Sequence, residues 1–248
     1  MARRLGVDRT FLGTSALLFA SGVVVTVRGC MSPSMPWMWM PGQSGPAAIT
    51  AFLGMWLAMM VAMMLPSLLP MLWRYRRAVG RAGETRLGRL TVLVGVAYFA
   101  VWSALGMVAF ALSAILTQVE MRAPEVVRAI PFAEGGLFLI VGALQFTAWK
   151  AHHLACCRGI PGQELTLRAD AGTAWRHGLR CGLHCSYCCA GLMAVLFALG
   201  IMDLRAMAVV TVAITLERLA PGGERVARAI GAVVIGAGLL VLARAAGL

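Results

Sequence analysis

Residues 47–72 read AAITAFLGMWLAMMVAMMLPSLLPML, 26 positions without a single Asp, Glu, Lys or Arg. A helix needs about 20 mostly apolar residues to cross a hydrocarbon core of about 30 Å. This stretch therefore reads as a transmembrane helix long enough to tilt or overhang, and 10–27, 90–116, 129–149 and 182–200 read the same way. Two weaker stretches follow. Residues 201–220 carry Asp203, Arg205, Glu217 and Arg218 near their ends, and 229–247 contain Arg244, groups that can snorkel to the interface. Composition agrees: the 248 residues are 60% hydrophobic and 13% charged, with mean hydropathy +0.82, whereas soluble domains carry about 25% charge. The expected fold is all-α, a polytopic transmembrane bundle of about seven helices, or six if the first or last is not a span. We expect one integral membrane domain over residues 1–248, with small Ala232 and Gly236 allowing the last helix to pack closely.

The net charge of +12 does not point to nucleic acid, because its basic residues fall in short clusters between apolar runs. They read as topology. Cytoplasmic loops carry the excess of Lys and Arg, and with the N-terminus inside, the segments up to 9, 73–89, 150–181 and 218–228 hold 17 of the 22 basic residues. The expected orientation is N-terminus cytoplasmic and C-terminus outside, in a bacterial plasma (inner) membrane, with 150–181 as the largest cytoplasmic loop. A cleaved signal peptide is the alternative for the first stretch, although its 18 residues exceed an apolar signal core of about 7 to 15. Lys150 is the only lysine beside 21 arginines, which reads as codon bias.

Six of the seven cysteines and all four histidines lie between His152 and Cys189. His152 and Cys156, and His153 and Cys157, are four residues apart, so each pair shares one side of a helix continuing the fourth span. Going back along that helix, Gln145 and Glu134 fall near the His152 face. His177, Cys181, His184 and Cys188 follow a 4-3-4 rhythm on one stripe leading into the fifth span, with Cys185 and Cys189 beside it. Both groups face the cytoplasm by the charge rule, and one soft ion needs ligands from several directions, so they are expected to converge on a shared site. Thiolate and imidazole suit Cu(I), Zn(II) and iron–sulfur clusters. Stable disulfides are not expected in a reducing compartment, though Cys185-Ser186-Tyr187-Cys188 is formally a C-x-x-C that a catalytic dithiol could use. Plain packing of small apolar cysteines is the bland alternative. Cys30 stands alone on the outer side, where a disulfide would need a second chain.

Methionine adds a second soft donor. Met38 and Met40 lie in the outer loop with Met31, Met35, Trp37 and Trp39, while Met55, Met59 and Met63 form an i, i+4, i+8 stripe in the second span. Neutral thioethers suit Cu(I); the competing reading is flexible core filler for the stripe and an interfacial anchor for the tryptophans. Glu134 and Glu217 are ionisable groups in or near spans, read either as accessory ligands or as interfacial ion pairs, Glu217 abutting Arg218. Pro66 and Pro70 are expected to kink the second helix.

The runs at 56–67 (WLAMMVAMMLPS), 98–102, 145–150 (QFTAWK), 182–189 (GLHCSYCC) with Leu192-Met193, and 202–203 through 217–222 (ERLAPG) together resemble the domain of unknown function 2182 family of predicted metal-binding integral membrane proteins. The resemblance extends from about residue 47 onward, and the H-C-x-x-C-C block is its most specific part. The chain departs from that pattern at His153, Tyr187 and Arg218. It implies a polytopic bacterial membrane protein with a metal site and supplies no established reaction. The functional expectation is a membrane metal-binding protein handling copper in preference to zinc, by binding, delivery or transport, with the bilayer and another membrane or metal-handling protein as partners. The alternatives are a membrane oxidoreductase or thiol–disulfide relay, and an assembly subunit with a structural zinc site.

Overall fold

Hydrocarbon offers backbone groups no partner, so a chain of this composition closes its hydrogen bonds within helices. The computed structural model describes residues 2–31, 45–81, 86–122, 124–158 and 168–247, and among them the regular structure is all helical. The order is α1 (Ala2–Met31), α2 (Gly45–Arg81), α3 (Leu87–Arg122), α4 (Pro124–Leu144), α5 (Ala148–Arg158), α6 (Ala171–Leu199), α7 (Leu204–Leu219) and α8 (Gly223–Ala245).

Five helices are long and apolar enough to cross a membrane, within α1, α2, α3, α6 and α8, and the α4–α5 pair makes a sixth if counted as one broken span. Two expectations are corrected here. The fourth span does not continue smoothly into the His/Cys segment, because the chain turns by 67° between α4 and α5. The stretch 201–220 is not a full-length span: Asp203 caps it, accepting from the amides of Arg205 at 2.7 Å and Ala206 at 3.1 Å, and α7 covers 16 residues. At 1.5 Å per residue that is about 24 Å, short of the hydrocarbon thickness. The connection from α5 to α6 narrows to residues 159–170.

The helices pack mainly through α4 on α8, α3 on α6, and α1 on α2. On α8 the close approach is made by Gly231 and Gly238, whereas Ala232 is exposed and Gly236 faces open space, a correction of the expected pair. A Cβ at Gly142 would meet the Gly231 carbonyl oxygen at 2.8 Å, and one at Gly231 would meet that of Gly142 at 2.9 Å, so only glycine lets these backbones touch. Apolar side chains cover the outside: Leu17, Val108, Ile115, Val209 and Val233 are all exposed, as expected of residues facing lipid rather than water. The interior gathers Met59, Met60, Met63 and Met64 of α2 with Tyr75, Tyr98, Leu196 and Ile214.

The bundle has two distinct ends. One carries the 200–203 turn, the last turn of α1 and the start of α2. The other carries the arginine-rich end of α2 and the starts of α3 and α6.

Candidate metal centre

Cys185, Cys188 and Cys189 lie halfway along α6 rather than in a loop, and their exposures of 0%, 2% and 1% place all three in the core. Their depth follows from α3. A Cβ at Gly182 would stand 3.1 Å from the Tyr98 carbonyl oxygen, so the missing side chain lets α6 lie directly against α3. One turn further on, the Tyr98 hydroxyl reaches Cys185 Sγ at 2.9 Å. Cys185 Sγ is 3.9 Å from Cys189 Sγ, as an i, i+4 pair permits. Cys157, from α5, is half-buried and packs against the same core cluster that holds these three cysteines. Cys157 is thus the member of the first sequence group that packs on the core holding the α6 cysteines.

The other candidate ligands form two separate sets. His153 is central to one: its ring lies 5.3 Å from that of His152, 5.8 Å from His184, 5.3 Å from Tyr187 and 4.7 Å from Trp149. The buried Nδ1 atoms of His153 and His184 have no hydrogen-bond partner among the described residues. Cys156 sits exposed on the far side, 3.8 Å from His152 Nε2. In the second set His177 stacks on Tyr75 at 5.4 Å and Cys181 Sγ lies 3.7 Å from His177 Nε2. Ten ligands therefore do not close on one ion: among the described residues no three His, Cys, Asp or Glu side chains are arranged to hold a metal. The 4-3-4 stripe is real as helix spacing, yet its members face different neighbours.

Several side chains that spacing did not single out complete the thiol group. The Arg218 guanidinium donates to Cys185 Sγ at 3.1 Å and to Ser67 Oγ at 2.8 Å, and Arg218 is only 7% exposed. Lys150 donates to the Cys188 carbonyl oxygen at 2.7 Å and to Glu217 Oε2 at 2.7 Å, and Gln145 Nε2 donates to Glu217 Oε1 at 2.8 Å. Three corrections follow. Glu217 is fully buried and pairs with Lys150, not with its chain neighbour Arg218 at an interface. Lys150, the lone lysine, is a structural partner of the cysteine helix rather than a trace of codon usage. Gln145 lies in the break between α4 and α5 and so does not share a helix face with His152. Glu134 sits ten residues before the end of α4, about 15 Å along it, next to the glycine that meets Leu242 of α8. The break also opens a cleft of about 310 Å3 lined by Gln145, Lys150, Glu224 and Arg228.

The methionine stripe is core: Met55 is 8% exposed, Met59 2% and Met63 2%. Ser67, one further turn along α2, is the residue Arg218 holds. Met38 and Met40 lie outside the described residues. Cys30 has no cysteine partner among the described residues, and its thiol lies 3.9 Å from the sulfur of Met202. Buried thiols beside a buried cation can accept a soft cation, exchanging thiol protons for metal–sulfur bonds.

No curated protein and no solved structure matches the chain. A family model does: PpoB2, described as a copper chaperone, matches residues 53–241, from the second helix nearly to the end of the last. Its description differs from that of the family the motif runs resemble, and the two have a metal in common. With the greater part of its length matched, the chain belongs to the PpoB2 copper-chaperone family.

Proposed function

We propose that the chain is an integral membrane carrier of Cu(I), taking the ion as cargo on Cys157, Cys185, Cys188 and Cys189 and handing it to another protein. The observation that carries this reading is the burial of Cys185, Cys188 and Cys189 inside the bundle, with Cys157 of α5 packed on the same core and the Arg218 guanidinium 3.1 Å from Cys185 Sγ. Charge supports it. Two thiolates around one Cu(I) leave a net charge of −1, and the buried Arg218 supplies +1, while Lys150 and Glu217 neutralise each other. The membership of a copper-chaperone family supports the choice of metal, as do the soft thioethers of α2, which bind weakly and exchange readily. The arginine-rich end then faces the cytoplasm, with the 200–203 turn outside.

The test is the metal content of protein purified without added metal, with a thiol titration on the same sample. Copper, with a matching loss of titratable thiols, is expected. Zinc alone would replace this reading with a structural subunit, and metal-free protein with reversible thiol oxidation would replace it with a redox relay.

A further inference from the structure

At the end of the bundle opposite the arginine-rich turn, Cys30 of α1 and Met202 of the α6–α7 turn bring their sulfur atoms to 3.9 Å from chain positions 172 apart. Beside them lies a void of about 10 Å3 lined by Phe52, Met55, Trp56, Met59, Ile201 and Met202. A water there would need two to four polar partners. The lining residues are aliphatic, aromatic and, in three cases, methionine, and the one indole N–H among them, that of Trp56, is already donated to the Trp102 carbonyl at 2.8 Å. Such a lining suits a soft cation rather than water. The sulfur spacing agrees: two ligands at about 2.3 Å from one ion and 120° apart stand about 4.0 Å from each other.

We propose that Cys30, Met202, Met55 and Met59 form a second binding site, for a soft monovalent cation, distinct from the thiol group on α6. Binding breaks the Cys30 S–H bond, forms one thiolate–metal bond alongside the dative thioether bonds, and releases one proton; no electron is transferred. Cys30 is half-buried, so the proton has a way out. Thiolate and cation cancel, and the neutral thioethers complete the shell without adding charge to an apolar site. The site also has a direction built into it. Met55, Met59, Met63 and Ser67 occupy successive turns of α2, and Ser67 is held by the guanidinium that contacts Cys185. Twelve residues of helix span about 18 Å, so this site stands at the far end of a sulfur-lined stripe from the thiol group.

Alkylation of Cys30 in the intact purified protein, read by peptide mass mapping with and without Ag(I) as a redox-inert probe, tests this. Ag(I) is expected to slow Cys30 alkylation at least tenfold, and Met202→Leu or the pair Met55→Leu and Met59→Leu to remove most of that protection. Equal rates with and without Ag(I) would overturn the site. So would protection undiminished in both methionine variants, since a single thiolate would then suffice. In a chain with Cys157, Cys185, Cys188 and Cys189 all replaced by Ser, one Ag(I) should still bind and protect Cys30; if that chain fails to fold, the wild-type rates decide alone. Loss of metal at the α6 thiols with Cys30 still protected would count against the proposed function and leave this site standing.

Discussion

Lys150 and Glu217 lie 67 positions apart and meet at 2.7 Å inside the bundle, their side chains 5% and 1% exposed. The ion pair ties the first turn of α5 to the last turn of α7, and through the Cys188 carbonyl it ties both to the cysteine helix. Breaking one half leaves an uncompensated buried charge, which costs about 3–5 kcal/mol. Glu217→Gln is therefore expected to lower the thermal midpoint in detergent well below that of wild type. Lys150→Met with Glu217→Leu should recover most of the loss, because an apolar replacement removes both charges together. A double variant no more stable than the single one would show that the pair is held for more than charge balance.

Replacing Cys185 and Cys188 together with Ser should abolish most metal retention, while Met59→Leu with Met63→Leu should leave the metal held by the α6 thiols in place and slow only its loading. Thiolates bind soft ions tightly and thioethers weakly. Retention should also fall with acid, since protons compete for every metal-bound thiolate. Elemental analysis of both variants at neutral and mildly acidic pH measures this, and unchanged metal in the Ser variant would leave the cysteines as packing.

Gly231→Leu should prevent assembly of α8 on α4. A Cβ at that position already falls 2.9 Å from the Gly142 carbonyl oxygen, and the larger side chain adds more atoms to the same space. Overpacking of this kind commonly costs 1–3 kcal/mol or more. Gly236→Leu, on the open face of the same helix, is the control and should leave the yield of folded protein unchanged. Fluorescence-detected size exclusion of the two variants compares them directly.

Sidedness has its own test. Cysteine labelling in intact cells should leave Cys181 protected from an impermeant reagent while a Ser34→Cys variant reacts, and the reverse pattern inverts the assignment of ends.

The Asp203 cap should respond to pH. Hydrogen bonds from the Ala206 and Arg205 amides hold its carboxyl below the usual carboxylate range. Its contribution is therefore present above the unfolded-state value and lost as pH falls through the lower folded one. The protection factors of the Arg205 and Ala206 amides, measured against the intrinsic exchange rate at each pH, should fall in strong acid, and in Asp203→Ala they should be low at neutral pH and match the wild type in strong acid.

Helical class and most spans were legible because hydrophobic length reports directly on bilayer thickness. Residues 201–220 misled for the same reason: their apolar count is high, and only the Asp203 cap marks where the helix starts. The cysteines were legible as a crowd, and two of the four cysteine–histidine pairs at helical spacing stand in contact, His152 with Cys156 and His177 with Cys181. What spacing could not give was which neighbour each ligand faces. That depends on the bend at 145–147 and on Gly182, both set by packing between distant segments. Tyr98, Ser67 and Arg218 belong to α3, α2 and α7, and no periodicity within α6 points to them. Lys150 is the only lysine, a fact of composition whose codon-bias reading its burial overturns.

The 67° break between α4 and α5 puts Cys157 at the end of a lever. Ten residues of helix separate it from the break at Thr147, so it sits about 15 Å from the fulcrum, and a rotation of about 10° moves it by about 2.6 Å. That displacement exceeds a metal–sulfur bond of about 2.3 Å. The thiols on α6 are rooted in the core, and Cys157 reaches that core from a helix that starts after three non-helical residues. With Lys150 tied to Glu217 and to the Cys188 carbonyl, and Arg158 donating to the Ala220 and Pro221 carbonyl oxygens, α5 is pinned near both ends, so the angle held at Gln145, Phe146 and Thr147 fixes how near Cys157 stands to the α6 thiols.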